Sequence, residues 1–178
     1  FGVFVLDWSV ASILILYWTE SVILGVLNIP KILATKDSLG GKIFICVFFA
    51  IHFGGFCAGH AFFIADIFKA RAEFQTLLTG GPLLIASLTF FVSHFVSMMV
   101  NYFGKKEYEG RDANTQMFMP YGRIIIMHVV ILIGGALAML LGAPVIAVLF
   151  LIALKTVIDL LSHGAEHGKW LEVQQMKD

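Results

Sequence analysis

Charged side chains inside hydrocarbon cost about 2.5–3.5 kcal/mol apiece even on lenient scales. This chain nevertheless places Glu20, His52, His60, His94, His128, Lys155, Asp159 and His163 within or at the edge of long apolar stretches. All six histidines lie on those stretches or on their direct continuation. Three kinds of chemistry suit such a set. Neutral imidazoles and carboxylates are ligands for a divalent metal, zinc or iron. The same groups can titrate along an ion or proton pathway. They can also form a buried hydrogen-bond network, with Lys155 paired to Asp159, that fixes helix register.

Depth narrows the choice. Counted at about 1.5 Å of rise per residue, Glu20, His52, His128 and Asp159 all fall roughly 6–15 Å from the same end of their helices. Lys155 is slightly deeper, His94 is near the midplane, and Asn101 and His163 are near the mouth. Lys155, Asp159, His163 and His167 recur every fourth residue and form one stripe. Asp159 and His163 therefore have the spacing at which one helix can grip an ion twice. Glu20 and Asn28 share a face of the first helix, with Tyr17 one turn above. His52 shares its face with Gly55 and Gly59, the side expected to pack most closely against another helix.

The expected site is a metal centre held by Glu20, His52, His128, Asp159 and His163. In an enzyme, a metal-activated water would be the nucleophile, with Asp159 or Glu20 as the base, and the substrate would be lipid-soluble. The alternative is a non-catalytic protein, either a small transporter or an accessory subunit of a larger membrane complex. Neither H-E-x-x-H nor C-x-x-C occurs. A b-type haem needs two histidines at matched depth; His52, His94 and His128 meet this only loosely, so haem is not expected.

The elements that must position these groups are membrane helices. Of the 178 residues, 59% are hydrophobic and 13% charged, too few polar groups to cover a soluble exterior. Formal net charge is zero, which leaves no basic field for nucleic acid. Cys46 and Cys57 are separated by about 16 Å on one helix, too far to bridge. Cys57 lies one turn from His60 and is read as a small hydrophobe. No signal peptide is visible, and the chain begins at Phe1.

Five stretches are long enough to span. They run from about Val3 to Ile29, ending at Pro30; Ile43 to Phe68; Leu83 to Phe103; Tyr121 to Leu141; and Val145 to His163. The last continues as a short polar helical tail, so residues 1–178 form a single transmembrane domain. The fold class is an all-α, polytopic membrane helix bundle of about five helices. Gly55 with Gly59, and Gly134 with Ala138, form small-xxx-small pairs, and Ser93, Ser97 and Asn101 line one face ready to bond a neighbour.

One end of this bundle holds Lys31, Lys36, Lys42, Lys105, Lys106, Arg111, Arg123, Lys169 and Lys177, against Lys69 and Arg71 at the other. The bias predicts a cell-membrane protein with its N-terminus outside and its C-terminus cytoplasmic. The expected partners are the lipid bilayer and either a second copy or a larger membrane complex.

Several segments together carry a resemblance. They are Tyr-Trp-Thr-Glu-Ser at 17–21, His52 and His60 with glycines between, and Asn-Tyr-Phe at 101–103. Pro-Tyr-Gly-Arg-Ile at 120–124 with His128, and the run from Lys155 to His163, complete the set. The combination resembles a family of prokaryotic multi-pass membrane proteins known as a domain of unknown function, which implies no activity. A looser chemical analogy is to membrane hydrolases of the alkaline ceramidase and adiponectin-receptor type, whose zinc is held by three histidines near an aspartate and a serine. The chain has fewer helices and lacks their residue order, so the analogy is one of chemistry and not of descent.

Overall fold

The computed structural model describes residues 9–136 together with Leu140, Leu149, Ala153 and Leu154. Every regular element among them is helical. Helix α1 spans Val10–Ala34, α2 Leu39–Ile67, α3 Arg71–Thr79 and α4 Pro82–Ser97. Helix α4 runs on through a π-helical turn at Met98–Phe103. A short 3-10 turn at Glu107–Gly110 precedes α5, Ala113–Phe118. Helix α6, Tyr121–Val129, continues into a second π-helical turn at Val130–Gly134.

Four spans are long and apolar enough to cross a membrane: Val10–Ala34, Leu39–Ile67, Pro82–Phe103 and Ala113–Gly134. Apart from Leu149, Ala153 and Leu154, the expected fifth span lies outside the described residues, as does the polar tail. Buried residues make up 50% of the apolar window in the first span, against 22% in the second and 17% in the third, so α1 is the central helix. Large apolar side chains such as Phe44, Ile51 and Phe62 of α2, and Ile85 and Val92 of α4, face outward. Continuous outward apolar faces of this kind suit lipid and would not suit water.

Local sequence explains the ends. Ser9 and Ser38 accept the N–H groups of Ser12 (3.1 Å) and Gly41 (3.3 Å), capping α1 and α2. Pro30 was expected to end the first helix, but it lies inside α1, which continues to Ala34. A proline so near the end removes one helical bond. Lys42 reaches back from α2 to the carbonyls of Leu33 and Thr35, both at 2.9 Å, and so binds the open C-terminal oxygens.

At the other end, the connection after the second span was expected to be a plain loop. Nine of its residues instead form α3, whose Phe74 meets Trp18 of α1 edge-on with ring centroids 5.3 Å apart. Gly80 and Gly81, at φ 113° and 128°, make the turn that Pro82 then converts into α4. The fourth span begins at Ala113 and not at the expected Tyr121. Asp112 caps it through the N–H of Thr115 at 2.8 Å.

Two packing expectations change. A Cβ placed on Gly54, Gly55 or Gly59 would meet nothing within 4 Å, so this glycine face is not a close helix contact. The intimate approach is at Gly25, where a Cβ would run into the ring of Phe53. On the third span, Asn101 donates to Ser97 of its own helix (3.2 Å). Among the described residues the inward face there is Leu83, Ser87, Met98 and Tyr102.

Candidate functional site

The polar groups gather along two faces of the fourth span. An α-helix turns about 100° per residue, so Tyr121 and His128, seven apart, project the same way, whereas Arg123 projects almost oppositely. The first pair meets α2. Arg123 meets α1.

On that second face, one oxygen of Glu20 pairs with Nη2 of Arg123 and the other with Nε2 of His94 at 2.9 Å. One carboxylate thus ties together three spans. The Arg123 guanidinium also lies over the Tyr17 ring, 4.6 Å from its centroid. A cation over a desolvated aromatic face is held firmly. The side chains of Glu20, Arg123 and His94 are 19%, 24% and 29% exposed, so the triad is mostly enclosed. Nε of Arg123 is buried and has no hydrogen-bond partner among the described residues.

Toward the Lys31 end, Asn28 and Gln116 are buried at 3% and 2% exposure and bond each other. Asn28 donates to the Gln116 carbonyl (3.1 Å), and the Gln116 amide donates to Asn28 Oδ1 (2.7 Å). Arg111 donates to Gln116 Oε1 at 3.3 Å. These groups border a pocket of about 210 Å³ that Lys31, Arg111 and Arg123 also line.

The other face carries histidines. His52 Nδ1 lies 2.8 Å from the Tyr121 hydroxyl. Two turns along α2, His60 Nε2 lies 3.1 Å from His128 Nδ1. Phe56 sits between the two pairs, 5.1 Å from His52 and 6.2 Å from His128 by ring centroids. Nδ1 of His60 is buried without a partner among the described residues. An orphaned acceptor is cheaper than an orphaned N–H, which favours the tautomer in which His60 donates to His128.

Glu20, His52 and His128 therefore do not share a centre as expected: each has a different partner. Among the described residues, no three His, Cys, Asp or Glu side chains are grouped so that they could hold a metal. His52 and His128 are exposed, while Glu20 is enclosed. Asp159 and His163 lie outside the described residues. The face shared by Tyr17, Glu20 and Asn28 is present, and all three residues contact the fourth span. Sequence reasoning counts Arg123 among the charges of one end and within the Pro-Tyr-Gly-Arg-Ile motif, and does not single out Gln116. The signal for both was available, since a span beginning at Ala113 places them inside the bundle opposite Glu20 and Asn28.

A family model described as a family of unknown function (DUF6498) matches residues 1–175. Neither a curated protein nor a solved structure matches the chain.

Proposed function

The chain belongs to that family of unknown function, and from its site we propose that it is a proton-linked membrane carrier, with Glu20 and His94 exchanging the proton. The observation that carries this reading is the Glu20 carboxylate bridging Arg123 and His94 across three apolar spans. Ionisable groups within membrane spans are costly and usually functional. Without an added proton, Glu20 and Arg123 cancel and His94 is neutral. With one, the imidazolium still has a carboxylate at 2.9 Å, so the site can hold a proton without stranding a charge. A binding role follows without any bond-breaking step in the protein.

The basic residues Lys31, Lys36, Lys42, Lys105, Lys106 and Arg111 belong to one end of the described bundle, and Lys69 and Arg71 to the other. We assign the richer end to the cytoplasm on the positive-inside bias, with the N-terminus outside.

The test uses proteoliposomes loaded with a pH-sensitive dye and exposed to small inorganic ions and carboxylates. Wild-type protein should acidify the lumen with at least one solute, and Glu20→Gln and His94→Gln should not. An absence of solute-dependent proton movement in the wild type overturns the reading. Stoichiometric zinc or iron that disappears in His128→Ala and His163→Ala, with proton movement absent, would transfer the function to a metal-dependent hydrolase.

A further inference from the structure

The pocket beside the triad has a charge imbalance. Its lining includes Lys31 on α1, Arg111 before α5 and Arg123 on α6, together with Asn28 and Gln116. Two acids oppose these three cations. Glu20 pairs with Arg123, and Glu107 lies 3.9 Å from Arg111. Lys31 takes part in none of the ion pairs among the described residues; its ammonium lies over the Tyr102 ring, 5.4 Å from the centroid. The neighbouring acids Asp37 and Asp112 are engaged by N–H groups, Asp37 with Ala113 at 2.7 Å and Asp112 with Thr115 at 2.8 Å. Every charged side chain that lines the pocket itself is a cation. Among the described residues nothing accepts from the buried Nε of Arg123.

We infer that this pocket binds an oxyanion, a phosphate or carboxylate group, between Lys31, Arg111 and Arg123. A guanidinium presents paired N–H donors matched to such groups, and an ammonium adds a point charge. The amides of Asn28 and Gln116 fix each other and, through Gln116 Oε1, the aim of Arg111. The inference rests on the proton-linked reading of Glu20 and names its substrate class. An anion that draws on Arg123 competes with Glu20 for the same guanidinium. Glu20 then loses part of its counter-charge, and one proton entering with a monoanion would leave the net charge of the site unchanged.

A phosphate group could be free in solution or belong to a lipid headgroup, and the experiment separates the two. Purified protein in phosphatidylcholine nanodiscs is titrated with inorganic phosphate, following the 31P line width and the proton count in weakly buffered solution. A parallel preparation carries phosphatidic acid in the disc and no free phosphate. Binding should weaken about tenfold or more in Lys31→Gln and in Arg111→Gln, since each loses a charged hydrogen bond. Lys31→Arg should retain it. Glu20→Gln should bind as well as wild type or tighter, because Arg123 is released, but should take up no proton.

A response confined to the phosphatidic acid discs, with the same dependence on Lys31 and Arg111, assigns the pocket to a lipid headgroup. Binding in neither preparation, or binding indifferent to both substitutions in variants that melt like wild type, overturns the pocket. Binding with no proton uptake in wild type keeps the pocket and removes the Glu20 reading.

Discussion

Glu20 of the first span and Arg123 of the fourth, 103 residues apart in sequence, pair inside the bundle with His94 on the far oxygen of the carboxylate. Removing one member of an enclosed pair strands the other, which is the expensive event; removing both is far milder. Arg123→Leu should lower stability by about 3 kcal/mol, and the Glu20→Leu, Arg123→Leu double variant should recover most of that loss. Thermal unfolding in detergent measures it. Additive losses in the double variant would show that the pair is not coupled.

Gly25 and Gly55 should behave oppositely. Gly25→Ala drives a Cβ into the Phe53 ring, a fixed neighbour buried at 4% exposure, and should cost about 1–3 kcal/mol. Gly55→Ala enters open space and should be neutral, or stabilising by up to about 1 kcal/mol through helix propensity. Combining Gly25→Ala with Phe53→Leu should relieve part of the first penalty. Equal melting temperatures for the two single variants would contradict this packing.

Asn28 donates to the Gln116 backbone carbonyl and accepts from the Gln116 side chain, so Gln116→Leu leaves the buried Asn28 Oδ1 without its donor. The expected loss is about 1–3 kcal/mol by the cost of unsatisfied buried groups. Coupling energies between membrane helices average nearer 0.6 kcal/mol, so a double-mutant cycle with Asn28→Leu should give about 0.5–1.5 kcal/mol. A coupling of zero would mean that the pair contributes only shape.

Asp112 supplies a pH test outside the spans. The backbone N–H of Thr115 and then its hydroxyl hold this carboxyl below the ordinary carboxylate range. A depressed folded-state pKa means a contribution that is present above the unfolded value and lost as pH falls through the folded one. Asp112→Asn keeps an N-cap but cannot titrate. The stability gap between wild type and Asp112→Asn should therefore narrow as pH drops below the usual carboxylate range. A gap that widens on acidification would reverse the assignment.

The sequence announced the helices because twenty apolar residues in a row permit little else, and it announced Glu20 because a carboxylate there has no cheap explanation. Partner choice was harder to read. Depth along a helix follows from counting, and by depth Glu20, His52 and His128 looked like companions. Direction around the helix matters equally, and it depends on which helices are neighbours. Tyr121 and His128 face α2 while Arg123 faces α1, a division that appears only once α1 is known to be central. Gln116 escaped notice because the charged run before it suggested a loop, although the Asp112 cap starts a helix there. The glycines at 55 and 59 have the pattern of a close contact, but small residues on a lipid-facing side have the same spelling.

The central position of α1 has a consequence for how the protein is made. The helix that contributes Glu20 and Asn28 leaves the ribosome before the other described spans, yet Gln116 and Arg123 follow 88 and 103 residues later. At translation rates of about 5–20 residues per second, the delay is about 5–20 s. Throughout that interval the first span has neither the guanidinium nor the amide it finally binds. A carboxylate without its partner is costly in hydrocarbon, so the first span stands at its least favourable until the fourth arrives. The enclosure of the central helix is thus completed by residues that reach the bilayer well after it.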